Sequence, residues 1–168
     1  YPSDFSFQQG VSWWGSDRGE NDFDFDFSDL VVKYGVGTAM LSFGKSSFNI
    51  TDGHRSIIIS SKAPSFPFIS YDWNINDQLS FLYIHGSLKS TIDDAVMQSY
   101  YEEVGVRHLT TARNFSFHSL KYKVTDRLNV SLAELVIYAN RVVEPIYLIP
   151  FIPYWSAQHY LGDTDNMQ

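Results

Sequence analysis

The residue types that usually carry catalysis or bind metals are present in this 168-residue sequence, but their spacing fits no catalytic motif. The five histidines form neither an HExxH pair nor another metal-ligand spacing. No G-x-S-x-G elbow is present, so a serine hydrolase is not indicated. Glu102 and Glu103 are adjacent and would point to opposite sides of a strand. We therefore predict no enzymatic activity and no cofactor.

Two acidic segments are the remaining candidates for a metal site. Asp163, Thr164, Asp165 and Asn166 could bind calcium through oxygen atoms, but the glycine and distant glutamate of an EF-hand loop are missing. An Asx turn that opens a strand is the better interpretation. In the run 22–27, alternate aspartates on one strand face would lie about 7 Å apart, too far to share one ion. We predict no metal.

Composition restricts the class of protein. The net charge of -7 and the lack of a basic patch argue against nucleic-acid binding. There is no cysteine, which excludes disulfides and thiolate chemistry. No apolar stretch is long enough for a transmembrane helix. Aromatic residues make up 17% of the chain and charged residues 18%, which suits a β protein with one apolar face or a membrane barrel.

Period-two alternation predicts an all-β chain. The run 22–27 alternates aspartate and phenylalanine without exception. A shift of the apolar positions after Ser28 predicts a β-bulge near Ser28–Asp29, after which the same strand continues to Tyr34. Further strands are predicted at 5–14, 38–43, 67–73, 78–88, 113–124 and 128–138, with another beginning at Asp163. The connections alternate between short and long, and the long ones are 44–66, 89–112 and 139–162. A short helix is possible at 91–101.

This alternation of connections is typical of outer-membrane barrels, which have short turns on one side and long loops on the other. Strand lengths of about seven to twelve residues match what a tilted spanning strand needs. A soluble sandwich or barrel with one hydrated face would show the same strand pattern, and both interpretations stay open at this point.

The stretch His54–Trp73 interrupts the strand pattern. It contains Ile57, Ile58 and Ile59 in a row and two prolines, Pro64 and Pro67, that cannot sit in a central strand. We predict that the isoleucines are buried in the lumen or under other long loops, and that Arg55 anchors them to an acidic wall residue.

Four ordered motifs resemble signatures of the Wzi-like capsule assembly family, in its Bacteroidetes branch with gliding-motility outer-membrane relatives. The first is HRSIIISSKAPSFPF at 54–68, continued by FLYIHGSL at 81–88. ELVIYANR at 134–141, the proline-rich run 144–150 and HYLGDTDN at 159–166 follow in the same order. The resemblance covers about Asp22 to the end. Ala139 stands where the family usually has glycine.

The resemblance implies an antiparallel up-and-down transmembrane β-barrel, of which this single-domain excerpt (1–168) would hold about seven or eight strands. It implies a non-enzymatic protein of the bacterial cell outer membrane that binds or anchors capsular or surface polysaccharide. The implied partners are that polysaccharide, outer-membrane lipid and other outer-membrane proteins. One alternative is a barrel subunit of a gliding-motility or secretion assembly. Another is a soluble carbohydrate-binding β domain.

The candidate ligand-binding residues would contact polysaccharide or form a polar network in the lumen. Planar guanidinium groups can pair with sugar carboxylates, but salt bridges across the lumen are the favoured role of the arginines and glutamates. For the apolar run 145–155 we predict packing against other parts of the protein, although its aromatic side chains could stack on sugars. The candidates are Arg55, His85, Arg107, Arg113, Glu134, Tyr138, Arg141, Glu144 and His159.

Overall fold

The computed structural model describes residues 13–17, 23–27, 29–48, 65–93, 110–139, 142–163 and 165–167. These residues form nine strands, one 3₁₀ helix and one short α-helix. The strands are β1 Trp13–Asp17, β2 Phe23–Phe27, β3 Leu30–Val36, β4 Ala39–Ser46, β5 Phe66–Asn74, β6 Leu79–Asp93, β7 Thr110–Thr125, β8 Leu128–Ala139 and β9 Asn166–Met167. The 3₁₀ helix is Pro145–Leu148 and helix α1 is Tyr154–Tyr160.

Seven strands form one sheet in sequence order, from β3 to β9, and β1 pairs with β2 in a separate hairpin. The prediction of a single bulged strand from Asp22 to Tyr34 is wrong, because β2 and β3 belong to different sheets. The registers of β6 with β7, β7 with β8 and β8 with β9 are antiparallel. The predicted all-β, up-and-down arrangement is therefore confirmed. By its internal contacts the chain divides into two compact units, Tyr1–Val32 with Phe43–Phe68, and Lys33–Ser42 with Ile69–Gln168. Every feature discussed below lies in the second unit.

Two predictions about connections have different outcomes. Residues Thr91 to Asp93 continue strand β6, so the helix predicted at 91–101 does not begin there, and the rest of that run lies outside the described residues. The last long connection contains the 3₁₀ helix and α1, which were not predicted. The predicted burial of Ile57 to Ile59 falls outside the described residues.

Side chains that hydrogen-bond to nearby backbone fix the short turns. Asn76 Oδ1 accepts from the backbone N–H groups of Gln78 and Leu79, at 2.9 Å each. Thr125 Oγ1 accepts from the N–H groups of Arg127 and Leu128, at 3.2 and 3.1 Å. Such local bonds are typical of Asx and ST turns. They set the β5–β6 and β7–β8 registers on which the faces of the sheet depend.

Strands β6, β7 and β8 place their side chains in rows on two faces. We call face A the side that carries Tyr83, Ser116 and Tyr138, and face B the other side. Counted away from the short turns, the rows of face A are Leu79–Tyr122–Val130, Phe81–Leu120–Leu132, Tyr83–His118–Glu134, His85–Ser116–Val136 and Ser87–Asn114–Tyr138. Those of face B are Ser80–Lys121–Ser131, Leu82–Ser119–Ala133, Ile84–Phe117–Leu135 and Gly86–Phe115–Ile137.

The two faces exchange character between the second and third rows. On face A the first two rows are apolar and the third begins a polar patch with His118 and Glu134. On face B the first two rows are mostly polar, while Ile84 and Phe117 in the third are fully buried apolar residues. In the sequence of β8, every second residue from Leu128 to Tyr138 is apolar or aromatic except Glu134, which stands at this boundary.

A segment that follows β8 covers the polar patch. Residues 145–160, which we call the strap, contain the 3₁₀ helix and α1 and pack on face A. Tyr147, Tyr154 and Ala157 of the strap form one core cluster with Val136 and Tyr138 of β8. No helix among the described residues is both long enough and apolar enough to cross a membrane.

Candidate functional site

The carbonyl oxygen of Tyr147 is the main attachment point of the strap to face A. It accepts hydrogen bonds from the Tyr83 hydroxyl and from Ser116 Oγ, both at 2.8 Å. Because the single Ser116 hydrogen is used there, the Tyr154 hydroxyl at 2.8 Å donates to Ser116 Oγ. All these groups are buried, so each bond replaces contacts with water that folding removed.

Glu134 supports the start of helix α1. Its Oε2 accepts from the backbone N–H of Tyr154 at 3.0 Å, in the first turn of a helix whose N-cap residue is Pro153. Pro153 has no side-chain acceptor, so the β8 carboxylate performs the capping role and also complements the helix dipole.

The same Glu134 oxygen lies 2.9 Å from His118 Nε2. Since a carboxylate accepts, the proton of this bond is on Nε2. The His118 ring packs against the Tyr154 ring with centroids 4.3 Å apart. Nδ1 of His118 is buried and has no hydrogen-bond partner in the described part of the chain. His118 and Glu134 are thus a hydrogen-bonded polar pair on face A that the strap covers.

A second contact holds the beginning of the connection after β8. The hydroxyl of Tyr138 is hydrogen-bonded to His85 Nε2 at 2.7 Å and accepts from the backbone N–H of Glu144 at 3.3 Å. His85 and Tyr138 are both buried. Tyr147 donates from its hydroxyl to Asp165 Oδ2 at 2.6 Å, which ties the strap to the region of β9. These bonds are structural, because the side chains that make them are covered.

Two open cavities lie between the strap and face A. One, of about 410 Å³, has the His118–Glu134 pair at its base and apolar walls made by Phe81, Leu120, Leu132, Ala133, Phe151, Pro153 and Trp155. The other, of about 270 Å³, is lined by Leu41, Ile69, Ser70, Tyr71, Tyr83, Leu148, Pro150 and Phe151. Neither has the convergent polar groups of a catalytic pocket. Within the described ranges, no group of three or more His, Asp or Glu residues could hold a metal.

Face A is apolar and uncovered between the strap and the short turns. Leu132 is 75% exposed, and neighbouring positions on the same face are exposed as well. The face continues to β5, where Tyr71 contacts the Phe81 ring, and to β4, where Leu41 lines the smaller cavity. We call these exposed residues the apolar band: Leu41, Ile69, Leu120, Tyr122, Val124, Leu128, Val130 and Leu132.

Face B opposite the band is predominantly polar. Its side chains include Ser42, Ser70, Asp72, Ser80, Ser119, Lys121, Lys123, Asn129 and Ser131. Asp72, Lys123, Asn129 and Ser131 are exposed, whereas Ser42 and Ser70 are buried. A sheet in water would be expected to bury its apolar face, yet Leu120 and Leu132 on face A are exposed.

Aromatic residues accompany the band near the short turns. Trp73 lies at the end of β5, with its ring 6.3 Å from that of Tyr71. Tyr122 stands three residues before the end of β7 and is 46% exposed. Aromatic residues at the edge of an apolar surface are typical of membrane interfaces.

Comparison with known proteins gives no match to a family model, to a curated protein or to a solved structure. The family resemblance in the sequence therefore remains a proposal.

The structure brings some of the sequence-predicted site residues together and separates others. His85, Tyr138 and Glu144 meet through the Tyr138 hydroxyl. Glu134 lies on the same face and pairs with His118, while Arg113 is exposed on face B and has no ion-pair partner among the described residues. His159 is exposed beside Asp163 at 2.8 Å. Arg55, Arg107 and Arg141 lie outside the described residues.

Two of the residues that hold the strap, Glu134 and Tyr138, are among the sequence-predicted candidates. Tyr83, Ser116 and His118 are not. His118 could have been found from the hairpin register, because it lies opposite Glu134. Glu134 is the one acidic residue among the face A positions of β8. The packing predicted for the run 145–155 is found at Tyr147 and Tyr154, which are buried, but not at its exposed apolar residues. These are Leu148, Ile149, Phe151 and Trp155.

Proposed function

We propose that this chain is part of an outer-membrane β-barrel that binds or anchors capsular or other surface polysaccharide. The apolar band opposite a polar face is the observation that carries the membrane part of this proposal. An uncovered apolar surface of this extent is unfavourable in water, whereas a barrel wall needs apolar side chains toward lipid and polar ones toward its lumen. The family resemblance supports the polysaccharide part.

On this proposal, face A is the outer wall and face B lines the lumen. The sheet must then be closed by further strand pairing, because lipid cannot satisfy the backbone groups of an open edge. The short turns fall at one rim and the long connections at the other. That distribution matches the periplasmic and extracellular sides of an outer-membrane barrel.

The lumen side offers an arginine for an acidic glycan. Arg113 is exposed on face B near the long-connection end of β7. A guanidinium can pair bidentately with a uronate carboxylate, which gives orientation as well as charge attraction. In the sequence, Arg107 lies shortly before the start of β7 and Arg141 shortly after the end of β8. By contrast, buried His85 and Tyr138 serve to hold the protein together.

The membrane part is tested by fractionating cells that express the full-length protein, and by electrophoresis with and without boiling. We expect the protein in the outer-membrane fraction and faster migration of the unboiled sample. Recovery in the soluble fraction with no heat-dependent shift would overturn the proposal and favour the soluble carbohydrate-binding alternative.

The polysaccharide part is tested by glycan pull-down from the same cells. Arg113→Ala, Arg107→Ala and Arg141→Ala should each weaken retention of surface polysaccharide while the heat-dependent shift persists. Arg127→Ala at the opposite, short-turn end is the matched control and should retain it. If no variant differs from the parent and no polysaccharide is recovered, a barrel subunit of a gliding or secretion assembly becomes the better account.

A further inference from the structure

We propose that the strap lies outside the barrel wall, where it contacts lipid at the boundary between acyl chains and headgroups. This inference rests on the proposed membrane function and differs from the usual expectation that a long connection folds over the barrel mouth. Its starting point is that the strap packs on face A, the face of the apolar band, through contacts such as Phe151 with Phe81 and Tyr154 with His118.

The outer surface of the strap has the chemistry of a lipid contact. Residues 145–157 contain no charged residue and no histidine. Leu148, Ile149, Phe151 and Trp155 are 43%, 51%, 59% and 53% exposed. The nearest carboxylate and imidazole side chains are at the two ends, at Glu144 and His159. A loop in water would be expected to turn such side chains inward.

The backbone of the strap is also suited to an environment with little water. Three of its residues are prolines, which have no N–H to satisfy: Pro145, Pro150 and Pro153. The N–H groups of Tyr147, Ile149, Ile152 and Tyr154 are all hydrogen-bonded within the protein. Lipid-exposed backbone is tolerated only where such groups have partners.

The position of the strap along the strands fits the far interface of a bilayer. It covers the rows from Glu134 to Tyr138, which follow the short turn at Arg127 by 7 to 11 residues. With a rise of about 3.4 Å per residue and a tilt of about 40°, these rows lie about 18–29 Å above the turn. The apolar zone of an outer-membrane barrel is about 25 Å tall, so the strap reaches its upper boundary.

This placement accounts for the polar patch on an otherwise apolar wall. Tyr83, Ser116 and Glu134 would be costly on a surface facing acyl chains without partners. The strap supplies those partners through the Tyr147 carbonyl and the Tyr154 N–H. The surface it presents in return is apolar, so the apolar band continues across it.

The test is depth-dependent quenching of a fluorescent label in vesicles. Ile149→Cys and Trp155→Cys are labelled singly in the full-length protein in phosphatidylcholine vesicles, with every cysteine outside these 168 residues replaced by serine; the 168 residues themselves contain none. The quenchers are lipids with a spin label near the headgroup or along the acyl chain. Leu132→Cys on the apolar band is the lipid reference, and Ser131→Cys, which is exposed on face B, is the aqueous reference.

We expect quenching at 149 and 155 by lipids labelled near the headgroup to be several times that at 131, and weak quenching by aqueous iodide. If 132 is quenched by lipid but 149 and 155 are quenched only by iodide, the strap faces water and the inference is wrong while the barrel proposal stands. If 149 and 155 are protected from both quenchers, protein covers the strap and the inference is again wrong. Aqueous quenching at 132 as well would contradict the proposed function itself.

Discussion

At the residue scale, Ser116 is the side chain on which the strap depends most. It is fully buried, donates to the Tyr147 carbonyl and accepts from the Tyr154 hydroxyl. The rings of Tyr147 and Tyr154, which these bonds hold, meet edge to face with centroids 5.8 Å apart. The contact between the strap and face A is therefore made partly by buried hydrogen bonds of tyrosine and serine hydroxyls, and not by apolar packing alone.

Ser116→Ala should lower the free energy of unfolding by about 1–3 kcal/mol, because the buried Tyr154 hydroxyl loses its acceptor. The measurement is urea unfolding of the protein in vesicles. Ser119→Ala, on the opposite face of the same strand, is the matched control and should change stability by less than about 0.5 kcal/mol. Equal effects of the two substitutions would show that the Ser116 bonds do not stabilise the strap.

The Tyr154 hydroxyl also predicts how stability depends on pH. Burial raises the pKa of Tyr154 well above its usual value, so the folded state keeps a proton that the unfolded chain releases above about pH 10. Stability is then unaffected by this group below about pH 10 and falls as pH rises further, by up to about 1.4 kcal/mol per pH unit.

Tyr154→Phe should reduce that alkaline loss, since the titrating group is gone, although the variant is less stable at neutral pH. Unfolding free energies between about pH 9 and pH 11 give the slope. Tyr160→Phe, on an exposed residue of the same helix, should keep the parent slope. A slope that stays the same in Tyr154→Phe would contradict the burial argument.

At the element scale, the strands were predictable and the strap was not. Alternation in β7 and β8, together with turn residues such as Asn76 and Thr125, places strands and register from local sequence alone. The 3₁₀ helix and α1 depend on tertiary contacts, because a seven-residue helix is too short to be stable alone and its first N–H is capped by Glu134, twenty residues earlier. No local pattern contains that information.

Helix α1 should therefore loosen when its distant cap is removed. Glu134→Ala is expected to increase amide hydrogen exchange in 153–160, while exchange in β6 and β7 changes little. Glu134→Gln keeps one acceptor oxygen and should give a smaller increase. The comparison is made by hydrogen-exchange mass spectrometry on the full-length protein. Unchanged exchange at 153–160 in Glu134→Ala would mean that core packing alone holds the helix.

At the scale of the whole molecule, the main feature is that the two faces of the sheet exchange polarity along the strands. Near the short turns, Val130 and Leu132 are exposed on face A while Asn129 and Ser131 are exposed on face B. Farther along β8, Glu134 lies under the strap. The sequence showed the alternation and its interruption at Glu134, but not which element would cover the interruption, because the covering residues follow in a segment without strand periodicity.

The most direct test of the central claim is the accessibility of residues 129–132 in vesicles containing the full-length protein. Single cysteines at 129, 130, 131 and 132 carry a spin label, and relaxation is measured with oxygen, which concentrates in lipid, and with a water-soluble nickel complex. We expect high oxygen accessibility at Val130→Cys and Leu132→Cys and high nickel accessibility at Asn129→Cys and Ser131→Cys. Nickel accessibility at all four positions would contradict it, because face A would then be in water.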